Sequence, residues 1–127
     1  MAAQHKKRPV YLNLLQIRLP LPGMVSILHR LSGILLFLAL PPLLALFQAS
    51  LGSAEQFGEI RASLGQPFFK LLLLALLWAY LIHFFAGLRH LALDLHWGTR
   101  LANARRSAVL ALALALVLTL AAGVALW

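Results

Sequence analysis

The sequence predicts an all-α membrane protein with three transmembrane helices, at about 24–49, 67–95 and 108–126, after an N-terminal surface segment. Three observations predict it. First, 62% of the 127 residues are hydrophobic and only 11% are charged. A soluble domain has roughly half its residues apolar, so this chain cannot cover a globule with polar surface. Second, the apolar residues fall into three runs, each long enough for a hydrocarbon core that needs about 20 helical residues. Third, the basic residues sit at the ends of those runs. The net charge of +8 therefore marks membrane topology and attraction to anionic lipid. Nucleic acid is excluded as a partner, because no basic stripe with interleaved aromatics is present. With no cysteine in the chain, disulfides, thiolate metal sites, iron–sulfur ligation and covalent haem attachment are excluded too. Any metal must be held by histidine or carboxylate.

Residues 1–23 form a basic N-terminal segment, cytoplasmic or interfacial, and 24–127 the three-helix domain. His5, Lys6, Lys7 and Arg8 precede Pro9; the following segment to Pro22 carries Asn13, Gln16 and Arg18 and is too short and polar to span. Pro20 and Pro22 argue against one continuous helix there. No cleavable leader is expected, since a short apolar core with a small-residue cleavage site is missing.

The first span, Met24 to Ala49, opens polar with Ser26, His29, Arg30 and Ser32 and then turns apolar. Pro41 and Pro42 are expected to kink it, which neighbouring helices tolerate in a membrane. Ser50 to Gln66 is a loop with room for a short surface helix. The second span, Pro67 to Leu95, has roughly 29 residues and so about 43 Å of length at 1.5 Å per residue. Its last turns should project beyond the hydrocarbon. His96 to Arg106 is a basic connection, and the third span, Ala108 to Leu126, is almost wholly Ala, Leu and Val, closed by Trp127 as an interfacial anchor. Lysine and arginine counts place the N-terminus and the 96–106 connection in the cytoplasm, and the C-terminus in the periplasm.

Two polar faces stand out because polar groups inside lipid are costly. At about 100° per residue, His83, Gly87, His90 and Asp94 share one stripe of the second span, and Ser26, His29, Arg30 and Gly33 share one face of the first. The two spans run antiparallel, so both faces approach the same membrane boundary. His83 lies one to two turns deeper, beneath a shelf of Ser26, His29, Arg30, His90 and Asp94. A deep neutral imidazole suits a haem iron, and the cationic shelf suits an anion such as haem propionates. Gly87 and Gly33 would let a macrocycle lie close. Ser26 with Arg30 suits hydrogen bonds to a quinone carbonyl. Each feature also has a plainer reading. His83 can be an interhelical hydrogen bond and the glycines packing residues. Arg30 and Arg89 can snorkel, and Asp94 can pair with Arg89 or His90.

The motifs carry a resemblance. Arg8-Pro9-Val10 followed by Ser26-Ile27-Leu28-His29-Arg30-Leu31-Ser32-Gly33 resembles the N-terminal signature of the succinate dehydrogenase cytochrome b subunit family. His83-Phe84-Phe85-Ala86-Gly87-Leu88-Arg89-His90-Leu91-Ala92-Leu93-Asp94 resembles its second signature, H-x3-G-[aliphatic]-R-H-x3-D. The resemblance implies half of a heterodimeric anchor bundle of succinate–quinone oxidoreductase in a bacterial inner membrane. A second three-helix anchor would be the partner, with an iron–sulfur subunit and a flavoprotein subunit docked on the cytoplasmic face. It implies His83 as axial ligand of a haem b shared with the partner anchor, which would supply the other axial histidine. It further implies His29, Arg30 and His90 near the propionates, and Ser26 and Arg30 at a ubiquinone site. Pro41-Pro42 and His96-Trp97 depart from the family pattern. By itself this chain has no oxidation chemistry: it holds no flavin motif and no cluster ligands.

Two rival readings remain in the sequence. One is a haem-free structural anchor, as of a fumarate reductase type. The other is a small proton or solute transporter subunit using His83 and Asp94, for which no inverted repeat speaks.

Overall fold

A computed structural model describes residues 18–127, which form four helices: α1 (Leu21–Ser50), α2 (Ala54–Leu64), α3 (Pro67–Asp94) and α4 (Leu101–Leu126). No strand occurs among the described residues. The expected basic tail and surface segment, including Arg8-Pro9-Val10, lie outside them as far as residue 17. Helices α1, α3 and α4 are each long and apolar enough to cross a membrane.

Helix α1 begins three residues earlier than the sequence suggests. Pro20 caps it in extended geometry and Pro22 lies within its first turn. A proline there removes only a donor that has no partner anyway. The helix then runs unbroken through Pro41 and Pro42 to Ser50. The carbonyls those prolines leave free, of Phe37 and Leu38 four residues back, belong to exposed residues on the lipid side. Helix α2 fills the expected loop; Ser53 starts it, its hydroxyl accepting from the Gln56 N–H at 3.1 Å.

The stop between α3 and α4 is sharper than expected. His96 N–H bonds Leu93 O at 2.9 Å and Trp97 N–H bonds Ala92 O at 2.9 Å. This is the Schellman closure, which requires a left-handed residue at its centre. That residue is His96, at φ 63°, with Gly98 at φ 70° two positions on. Helix α4 therefore starts at Leu101, seven residues before its apolar run. Hydropathy marks where lipid begins, whereas Leu101-Ala102-Asn103-Ala104-Arg105-Arg106 is simply good helix-forming sequence above it.

Packing is most extensive between α3 and α4, then between α1 and α3. The buried residues are small. Ala79, Ile82, Ala86 and Arg89 form one stripe of α3, and Ala108, Ala111 and Ala115 one stripe of α4. Small side chains let helix backbones approach where lipid provides no hydrophobic drive. Val25, Ala86 and Ala108 meet at the centre. Large apolar side chains such as Phe37, Phe84 and Val124 face outward. Antiparallel α3 and α4 are tied at both ends by basic side chains. Lys70 Nζ donates to the Leu126 carbonyl at 2.6 Å and lies 5.0 Å from the Trp127 ring. At the other end Arg89 bonds Ser107 and Ala104.

Candidate functional site

The third and fourth turns of α1 and the last four turns of α3 meet at one end of the bundle and bring three imidazoles together. The rings of His29 and His83 stack with centroids 4.2 Å apart and planes 8° from parallel. His90 meets His29 edge-on at 5.1 Å. The spacing explains why. His83 and His90 are two turns apart on α3, and His29 projects from the antiparallel helix at the level of Gly87, midway between them.

Each glycine of the two motifs receives a ring from the opposite helix. A Cβ on Gly33 would lie 2.9 Å from His83 Cε1 and 3.3 Å from its Nδ1. A Cβ on Gly87 would lie 3.3 Å from His29 Nε2. Carbon contacts are ordinarily about 3.5–4.0 Å, so no side chain fits at Gly33 without moving the ring. The sequence reading gave these notches to a macrocycle; the structure fills them with imidazole. His29, expected only on the upper shelf, also touches the deeper His83 ring.

His83 is held through one nitrogen. Its Nδ1 lies 3.0 Å from the His29 carbonyl oxygen and 3.3 Å from Ser32 Oγ. The Ser32 hydroxyl itself donates to His29 O at 2.9 Å, so its lone pairs face the imidazole. A carbonyl can only accept, so Nδ1 carries the hydrogen and Nε2 carries the lone pair. That is the tautomer of a metal-ligating histidine whose other nitrogen is fixed by a carbonyl. Among the described residues no group of three or more His, Cys, Asp or Glu side chains could hold a metal by itself. One imidazole nitrogen of this kind has the chemistry to serve as a single ligand to a haem iron.

The remaining expected residues spread around this centre. Ser26 is half-buried and Arg30 exposed, one turn apart on α1 and flanking His29 in sequence. His90 is half-buried, and Asp94 is exposed at the end of α3. Two residues outside the expected site are also engaged. Ser32 is buried against His83, and Arg89 is only 7% exposed. Arg89 does not snorkel or pair with Asp94. Its Nε donates to Ser107 Oγ at 3.1 Å and its Nη2 to Ala104 O at 3.2 Å. The signal was present: Arg89 continues the Ala79, Ile82, Ala86 stripe at helical spacing, not the histidine stripe.

Known proteins resemble this chain along nearly its whole length. Residues 4–122 match the family described as succinate dehydrogenase/fumarate reductase transmembrane subunit. The succinate dehydrogenase cytochrome b556 subunit of Coxiella burnetii is 37% identical over 122 residues, covering 95% of this chain and 98% of that protein.

Proposed function

The chain belongs to the succinate dehydrogenase/fumarate reductase transmembrane subunit family, and from that premise we propose that it is a haem-binding, quinone-reducing half of a membrane anchor. The observation that carries the proposal is the state of His83. One to two turns inside the polar end of the bundle, its Nδ1 is committed to α1 and no hydrogen bond to its Nε2 occurs among the described residues. A b-type haem held there would supply a one-electron redox centre. His83 would be its axial ligand, with a histidine of a second three-helix anchor opposite. His29, Arg30 and His90 supply polar and cationic groups at the level where propionates would emerge. The relative from Coxiella burnetii bears a cytochrome name, which supports this reading.

At the same end, Ser26 and Arg30 would hold a ubiquinone. The Ser26 hydroxyl donates to one quinone carbonyl. The Arg30 guanidinium would stabilise the negative charge that develops on that oxygen as electrons arrive. Those electrons would come from succinate through a flavoprotein and an iron–sulfur subunit docked on the cytoplasmic face. The polar end would then face the cytoplasm and the C-terminus the periplasm of a bacterial inner membrane, as the basic residues require.

One observation favours a second reading. The bonds from His83 to His29 O and Ser32 already make an interhelical contact, which a haem-free structural anchor would also use. One experiment separates the two. The complex is purified with its co-expressed partner subunits, and its reduced-minus-oxidised spectrum and succinate-to-quinone rate are measured. The proposed function requires a b-type α-band that His83→Ala abolishes. It also requires Arg30→Ala to lower quinone reduction about a hundredfold, as loss of a charge-stabilising donor does, while succinate-to-dye transfer persists. A fully assembled complex without a b-type band would leave the structural anchor standing.

A further inference from the structure

We infer that Gly33 and Ser32 of α1 are positioning residues that set the plane of the His83 imidazole. The inference rests on the proposed ligand role of His83 and deepens it. Four contacts fix the ring. The His29 carbonyl and Ser32 Oγ hold its Nδ1 at 3.0 and 3.3 Å. The His29 ring covers one face at 4.2 Å. The bare backbone of Gly33 lies where any Cβ would be 2.9 Å from Cε1. Because Cε1 stands between Nδ1 and Nε2, a push there tilts the nitrogen that would bind iron. The ring cannot yield toward His29, whose face already meets it. A methyl at position 33 therefore forces a rotation that breaks the Nδ1 bonds, a displacement, or both.

The chemistry of an axial imidazole depends on both features. Its plane sets the orbital asymmetry of a low-spin ferric haem. The bond from its N–H raises the basicity of the ligating nitrogen and favours the ferric state. Gly33 governs the plane, and Ser32, with the His29 carbonyl, governs the bond. Ser32 is itself buried and anchored to His29 O at 2.9 Å, so its oxygen is presented to the ring without freedom to turn away.

The test uses the complex purified with its partner subunits and compares wild type, Gly33→Ala and Ser32→Ala. Haem content per flavin, the low-field g value of the ferric haem and its midpoint potential are measured. Succinate-to-dye activity serves as the check on assembly. Gly33→Ala is expected to move the g value or to deplete haem while dye reduction is retained. Ser32→Ala adds no bulk and is expected to keep haem but raise its potential. Should Gly33→Ala fail to accumulate, Ser32→Ala decides alone. An unmoved g value and potential in the variants, with wild-type haem content, overturns the positioning role and leaves the ligand role intact. A wild-type complex without a b-type spectrum overturns the ligand role itself, and the inference with it.

Discussion

The two ends of the helix bundle are built on different rules. At the histidine end, α1, α3 and α4 are joined by named polar contacts: His83 to the His29 carbonyl, Ser32 beside it, and Arg89 to Ser107 and Ala104. Rings fill the notches at Gly33 and Gly87. At the α2 end two adjoining, largely apolar grooves of about 570 and 480 Å³ open among α1, α2, α3 and α4. Leu43, Leu46, Leu64 and Leu73 border both. In lipid an apolar groove costs little, since acyl chains fill it as well as leucine does. A polar group left unpaired there costs several kcal/mol. Position is therefore enforced where the polar groups are, and the rest of the bundle is free to be approximate.

The strongest way to break this contrast is to exchange the two basic ties between α3 and α4. Arg89 is buried and makes two hydrogen bonds, one to a hydroxyl and one to a carbonyl. Removing it takes the donor from Ser107 Oγ and leaves the Ala104 carbonyl only the Ser107 hydroxyl, at 3.2 Å, as a side-chain donor. Arg89→Ala should destabilise the chain by about 2–4 kcal/mol, as loss of charged hydrogen bonds at a buried site does. Lys70, half-buried at the opposite end, makes one solvent-exposed bond to Leu126 O and lies over Trp127. Lys70→Ala should cost about 1 kcal/mol or less. Detergent-titration unfolding of the two variants measures both, and equal losses would erase the distinction between the ends.

The same contrast explains what could be foreseen from sequence. Three spans were legible because apolar runs are long and lipid imposes helix on them. The histidine face was legible because His83, Gly87, His90 and Asp94 recur at helical spacing. Arg89 was not, although it lies between them, because its partner Ser107 sits on α4. With α4 expected to begin at residue 108, Ser107 fell in a connection and could not be aligned with anything. A helix of good formers continues past the lipid boundary, and hydropathy is blind to it. Ser32 was missed for a related reason: its role depends on how deeply two helices interlock, which the glycine notches decide and spacing alone does not. A kink at Pro41-Pro42 within one span was expected from covalent rules, and α1 does run through both prolines as a single helix, the freed carbonyls lying on exposed residues.

The turn that aims α4 at Arg89 offers a smaller and opposite effect. His96 occupies a left-handed conformation at φ 63° that costs a side-chain-bearing residue about 1 kcal/mol and glycine nothing. Its side chain is exposed and takes no part in the Schellman closure, which uses only backbone. His96→Gly should therefore stabilise the chain, by about 0.5–1 kcal/mol after the entropy that glycine adds to the unfolded state is subtracted. The same unfolding titration reads it. A destabilised variant would mean that the imidazole itself makes a contact that matters in the assembled complex.

The smallest effect belongs to the grooves, and it completes the comparison by inverting the usual sense of size. Leu46 borders both grooves and is half-exposed. In a soluble core, Leu→Ala costs about 2–5 kcal/mol, much of it for the cavity left behind. Here the space beside Leu46 is already open, so truncation enlarges a groove that lipid can enter and seals off no void. What remains is lost dispersion with Leu43, Leu64 and Leu73, at about 0.1–0.2 kcal/mol per atom pair. Leu46→Ala should thus shift the unfolding midpoint by less than about 1 kcal/mol and leave the haem spectrum unchanged. Removing three carbons at the α2 end would then matter less than adding one at Gly33. A large loss on Leu46→Ala, especially with loss of partner subunits, would instead mean that the groove is filled by protein in the assembled complex.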